Sequence, residues 1–254
     1  MASTDRLPVL TYHSISDAGG PTSIPPAVFA MQVGALADAG YSSLTLEEYR
    51  QWHAGEQAGG ERKVLITFDD AFRDFTEAAA PVLQRHGFGA LVFVPTAQVG
   101  SAEAWDGANA PARALMDWAE IRGLASQGFE FGSHSRTHAN LPKLALEERE
   151  VEIRDSAAEL ETGLGQPGAD AFAAPYGAVD GETVAAIARN YSIAFGTRLA
   201  ISRRGADRHD LPRLDMHYFR SERAWRGFLE GERAYLTLRR GLRAVRNSAL
   251  ALAA

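Results

Sequence analysis

Short apolar runs alternate along this chain with longer amphipathic ones. "PVLTYH" (8–13) reads as a strand, and "PPAVFAMQVGALADAG" (25–40) as a helix opened by proline and closed at Gly40. A short strand, "YSSLTL", leads to Thr45 and Glu48, whose spacing is a capping-box signature for a helix through Trp52. A glycine-rich surface loop (53–63) precedes "VLITF" (64–68), which is apolar or β-branched at every position and suits a parallel strand covered on both faces. The pattern then predicts a helix through "FTEAAAPVLQRHG", restarted at Pro81 and stopped at Gly87, and a strand "ALVFVP" (90–95). A long loop near 98–113, a helix near 114–127 and a strand "FEFGS" (129–133) follow. The longest periodic stretch, 144–165, predicts a helix with Leu146, Val151, Ile153, Ala157 and Leu160 as its apolar positions. "DAFAAP" (170–175), a helix "GETVAAIARN", "YSIAFG" (191–196) and "LPRLDMH" (211–217) continue the alternation.

Seven or eight strand–helix units on one chain, without a linker, predict a (β/α) barrel or a doubly wound sheet. Either architecture gathers its chemistry at the C-terminal ends of the strands. The stretch from residue 221 to 254 reads as a basic helix packed on the domain formed by residues 1–220, with a frayed tail.

Polar, chemically capable residues appear where the apolar runs stop. These are Tyr12-His13, Thr67 to Asp70, His134 to His138, and Pro175-Tyr176-Gly177. His134 and His138 are spaced so that one turn, helical or looped, can aim both imidazoles at one ion. With a carboxylate they make a three-ligand site with open positions for water. Adjacent carboxylates at Asp69 and Asp70 repel each other, and both can face one site only if the strand ends and the backbone turns between them. One can then bind the metal while the other stays free as a general base. Helix capping by the aspartates, a structural role for His13 and a plain turn at Pro175 are the bland alternatives.

These motifs resemble the polysaccharide deacetylase family (the NodB-homology, carbohydrate esterase 4 type) from about Val9 to about His217. "TFDDA" resembles its first motif, usually TFDDG; "SHSRTH" resembles its histidine-pair motif; "AAPYG" resembles R-x-P-Y-G in its FAxPYG-like form. The resemblance implies a single-domain, distorted (β/α) barrel of about seven parallel strands. It further implies a metal-dependent hydrolase removing acetyl from an N-acetylated sugar or glycan, with water activated on a divalent ion, most commonly zinc. Carried over, Asp70, His134 and His138 are the metal ligands and Asp69 the base. The backbone N–H of Tyr176 shares the developing oxyanion, and His13, Pro175 and Tyr176 contact substrate.

Three positions depart from the family. The third-motif arginine that pairs with the catalytic aspartate is Ala173 here, and Arg213 is expected to supply the charge from another strand end. The late histidine that protonates the leaving amine is matched loosely by His217, with Asp215 as a rival. Ala71 replaces a glycine, which matters only where that position needs a positive φ. The rival functions are a superfamily amidohydrolase acting on a non-sugar amide or imide, and a carbohydrate-binding pseudoenzyme. Trp105, Trp118 and Tyr176 are candidate stacking faces for a sugar ring.

Composition narrows these readings. A formal charge of −6 excludes a general nucleic-acid binder, and the absence of cysteine leaves His, Asp and Glu to hold any metal. No apolar run approaches the ~20 residues that span a bilayer, and the N-terminal stretch lacks a signal-like core, which predicts a cytoplasmic protein. Nothing in the sequence marks an oligomeric state.

Overall fold

The structure, a computed structural model, describes residues 5–56, 61–105 and 112–253, with side chains to 246. Parts of the expected loops at 53–63 and 98–113, and the end of the C-terminal tail, lie outside the described residues.

Its strands are β1 (Arg6–Leu7), β2 (Val9–Tyr12), β3 (Ser42–Ser43), β4 (Lys63–Phe68), β5 (Leu91–Val94), β6 (Glu130–Ser133), β7 (Ala171–Ala173), β8 (Ile193–Leu199), β9 (Ser202–Arg203) and β10 (Leu211–Asp215). The helices are α1 (Pro26–Asp38), α2 (Leu46–Ala54), α3 (Ala80–Arg85), α4 (Trp118–Ala125), α5 (Leu146–Leu164), α6 (Gly181–Asn190), α7 (Glu222–Leu229) and α8 (Ala234–Ala253). Seven parallel strands follow one another in the order β2-β4-β5-β6-β7-β8-β10, and β10 pairs β2 to close a barrel. Closure removes the sheet's edges, and β3 adds to the N-terminal end of β4. β1 and β9 form a separate antiparallel pair.

Strand alternation separates two environments. One set of positions, including Val9, Leu65, Leu91, Phe93, Ala171, Ala173, Ile193, Phe195 and Leu211, packs as one buried cluster with Tyr49 and Trp52 of α2. The other set, with Leu10, Tyr12, Ile66, Phe68, Val92, Val94 and Leu214, packs against α1, α4 and α7 through Phe29, Val33, Ile121 and Trp225. This double burial is why "VLITF" carries no polar face.

Local chemistry sets several boundaries as expected. Thr45 and Glu48 form the reciprocal capping box of α2. A π-turn at Phe75–Ala79 gives way to α3 at Pro81, whose missing N–H prevents a regular continuation. α4 starts later than the apolar pattern suggests, because Asp117 caps it with Glu120 in a second box. Two expectations are corrected. α5 does not bury Leu146, which is 56% exposed; Arg149, Glu152, Ser156, Ile153, Leu160 and Leu164 are inside instead. The C-terminal stretch is two helices, α7 and α8, divided at Gly231, whose φ of 105° a side chain would resist. Among the described residues no helix is long and apolar enough to cross a membrane.

Candidate active site

Each site residue lies at or just beyond the C-terminal end of a barrel strand. β4 ends at Phe68, and the Asp69 N–H still reaches the Tyr12 carbonyl at 2.9 Å. Asp70 then turns to φ 73° and Ala71 to φ 55°. That left-handed turn lets both carboxylates face one cavity. Ser135 (φ 61°), His138 (φ 62°) and Tyr176 (φ 60°) are held left-handed in the same region. Such backbone costs energy for non-glycine residues, so its concentration here marks an over-determined site.

Asp70, His134 and His138 are buried, and their donor atoms lie within 4.8 Å of one another. Asp70 Oδ1 is 3.3 Å from His134 Nε2 and 3.2 Å from His138 Nε2, yet it is a buried oxygen with no hydrogen bond. Two donors each ~2.0–2.1 Å from one ion, at angles between octahedral and tetrahedral, stand ~2.9–3.4 Å apart. The set therefore fits a divalent cation. His134 Nδ1 lies 2.7 Å from the Ala173 carbonyl, which as acceptor fixes the tautomer and leaves Nε2 free as a ligand. The position where the family carries arginine thus serves this site through its backbone.

The histidine segment is a loop and not a helical turn. It is pinned by α5: Glu152 accepts the backbone N–H groups of Arg136 and Thr137 at 2.9 Å each and the Thr137 hydroxyl at 2.8 Å. One turn pair along, Glu159 takes the Arg136 guanidinium and the Thr96 hydroxyl. These carboxylates explain why α5 turns a polar stripe inward. Their spacing of seven on one helix face was the available signal, and apolar periodicity passes over it.

Asp69 sits beside this set, 3% exposed, and Arg213 grips it. Nη1 donates to Oδ1 and Nη2 to Oδ2, both at 2.7 Å. Arg213 is itself held by the Gly196 carbonyl at 2.9 Å and Thr67 Oγ1 at 3.1 Å, and its guanidinium lies over Phe93. Burial pushes the Asp69 carboxyl up, but Arg213, followed by His134 and His13, outweighs it and holds the group below its ordinary value.

The cavity, about 170 Å³, is lined by His13, Asp69, Asp70, Trp105, His134, His138, Tyr176, Arg213 and Asp215, among others. His13 Nε2 is 3.8 Å from Asp69 Oδ2. Trp105 stacks on His138 at 4.2 Å between centroids, and Tyr176 meets the same ring edge-on at 4.7 Å. Trp105 comes from the long loop, which the Arg113–Glu103 ion pair and the Arg113 contacts with Thr22 and Ser23 tie to the β2 side. Trp118 packs instead against the core, with its ring under Gly163. Pro175 is buried and opens the short turn that presents Tyr176. His217 is not among the lining residues; its N–H goes to Asp215, and its Nδ1 is buried without a partner among the described residues.

A family model for polysaccharide deacetylases matches residues 56–195, more than half of the chain. The chain belongs to the polysaccharide deacetylase family. It is 30% identical over 151 residues to YxkH of Bacillus subtilis (strain 168), whose name assigns it provisionally to the polysaccharide deacetylases; the match covers 59% of this chain and 50% of that protein. It is thus similar to about half the length of that relative. IcaB from Ammonifex degensii superposes with a TM-score of 0.75 at 25% identity, over 89% of this chain and 96% of that one. The Streptococcus pyogenes deacetylase PplD, solved in complex with acetate, gives 0.72 at 25% identity, over 83% and 92%. A polysaccharide deacetylase fold is therefore shared across nearly the whole domain.

Proposed function

We propose that this polysaccharide deacetylase is a metal-dependent N-deacetylase that removes acetyl from an N-acetylated sugar of a glycan, with Zn2+ held by Asp70, His134 and His138. The observation that carries the reading is the buried Asp70–His134–His138 set next to an Asp69 clamped by Arg213 in one cavity. When bound there, the cation supplies a Lewis acid that polarises the amide carbonyl and acidifies water. Asp69, kept ionised by Arg213, takes the proton of the attacking water. The backbone N–H of Tyr176 donates to the oxygen on which negative charge develops, a role for a donor fixed beside a proline. An amine departs only with a proton, and we assign its delivery to His13, which lines the cavity, in preference to His217, which does not. Trp105 and Tyr176 flank His138 and offer the aromatic faces on which a sugar ring packs. The acetate in the PplD structure is the product such a reaction releases.

The rival amidohydrolase reading predicts turnover of non-sugar amides and none of acetylated glucosamine oligomers. Metal content and acetate release from both substrate panels should be measured for the native protein, Asp69→Asn and His134→Ala. Asp69→Asn is expected to keep metal and lose activity, and His134→Ala to lose both. Equal acetate release by all three proteins would overturn the mechanism.

A further inference from the structure

A groove lined by arginines leaves the cavity along α8, and the deacetylation chemistry uses none of it. Thr197 and Arg243 form a wall shared by the catalytic cavity and a neighbouring hollow of 360 Å³, which Arg198 and Arg240 also line. Those two arginines line a third hollow of 390 Å³ together with Arg6, Arg203 and Arg233. Six guanidinium groups thus line a run of adjoining hollows beside the cavity in a chain whose net charge is −6.

Counter-charge along this path is scarce. Asp210 is the one carboxylate lining the two outer hollows among the described residues, and Arg198 already engages it at 3.6 Å. Arg6, Arg203, Arg240 and Arg243 have no carboxylate within 4.0 Å among the described residues. Arg6 and Arg203 are directly opposed partners in the β1–β9 pair, a placement in which like charges repel. Burial, opposed by Tyr41 and reinforced by the charge of Arg6, lowers the Arg233 guanidinium from its usual value. Arg243 donates to the Thr197 hydroxyl and Arg233 to the Phe228 and Glu232 carbonyls, neutral partners that leave their charge uncompensated. Guanidinium groups without carboxylate partners make a site for anions, and their planar forks match phosphate and carboxylate oxygens two at a time.

We propose that this groove binds the anionic part of an acidic acetylated glycan, so that the sugar presented to Asp69 is flanked by units bearing phosphate diesters or carboxylates. The proposal rests on the deacetylase reading for the identity of the reacting sugar. It depends on the groove alone for anion recognition. The selected substrate is then one whose charge runs along α8 while its acetylated unit enters the cavity.

Calorimetric titration of the full chain with inorganic polyphosphate and with oligogalacturonate tests this, with an uncharged acetylated chito-oligomer as reference. At least one anion is expected to bind, the tighter of the two identifying the substituent as phosphate or carboxylate. Affinity should fall about tenfold for each of Arg240→Gln and Arg203→Gln, both exposed side chains, while Arg240→Lys, which keeps the charge but not the fork, recovers only part of the loss. Raising salt from about 20 mM to about 500 mM should weaken binding to the native protein severalfold or more. Failure of the native protein to bind either anion, a salt-independent affinity, or equal affinities in native and glutamine proteins would each overturn the proposal. Acetate release measured in parallel separates the two readings. Anion binding without turnover of any glycan leaves the groove standing and removes the deacetylase, whereas turnover without anion binding does the reverse.

Discussion

Removing the Arg213 guanidinium should move the acid limb of the activity profile upward by about 2–3 pH units. Arg213→Met keeps the volume of a side chain that is 1% exposed while deleting the charge and both N–H donors to Asp69. Charges about 4 Å apart at an effective dielectric of ~20 interact by about 4 kcal/mol, or ~3 pK units. Relaxation around the new side chain trims that figure. The sign follows from the present direction: the carboxyl of Asp69 is held below its ordinary value, so its ionised form persists as pH falls until that lowered value is crossed. Without the cation, burial dominates and the value rises above the ordinary range, so the base is lost at a higher pH. The stabilisation from the pair is lost in the same window, and a buried unpaired carboxylate costs ~3–5 kcal/mol until it protonates. The assay is kcat/KM for acetate release from about pH 4 to pH 10, with a thermal melt at each pH. Activity should be lost in the weakly acidic range where the native protein still turns over and recover as pH rises, and Arg213→Lys should restore the limb in part. An acid limb in Arg213→Met that coincides with the native one would refute the assignment, because a purely structural arginine would lower Tm without moving the profile.

Three further outcomes follow from the geometry. Glu152→Ala strips two backbone N–H groups and a hydroxyl of their acceptor; it should cost about 1–3 kcal/mol in melts and weaken divalent-ion binding about 10–100-fold in competition with a chelating dye, and unchanged ion affinity would remove its positioning role. Ala71→Gly relieves a left-handed alanine by ~1–2 kcal/mol but gives up a buried methyl worth ~0.8 and adds ~0.4–1 of unfolded-chain freedom; stability within about 1 kcal/mol of native is expected in denaturant titration. Chelation should abolish acetate release, and a divalent cation should restore it in the native protein but not in Asp70→Ala; activity that survives exhaustive chelation would exclude the cation reading.

The local code of this protein is readable from its sequence wherever neighbours along the chain make the decision. The doubly apolar "VLITF", the Thr45–Glu48 capping box and the break at Pro81 each depend on residues within one turn or one strand. The histidine pair was legible for the same reason, since a spacing of four lets one turn bring both rings together, whereas the paired carboxylates converge only because the backbone turns left-handed at Asp70 and Ala71. Contacts closed by the barrel were not fixed in that way. Arg213 meets Asp69 across 144 residues because β10 and β4 both flank β2, so their inward positions converge at the C-terminal mouth. Closure likewise puts His13 in the cavity and leaves His217 out of its lining, although both follow a strand in sequence. α5 shows the limit from the other side: its apolar period was real, yet the helix turned Glu152 inward to accept the N–H groups of the histidine loop, Ser156 to meet Ser133 and Tyr191, and Arg149 to donate to the Leu141 carbonyl and Asp180, partners that only the tertiary fold brings to it. Sequence alone determined which residues could do the chemistry and which segments would carry them. Tertiary structure decided which of them meet, because burial and charge pairing are properties of a closed barrel and not of any one strand.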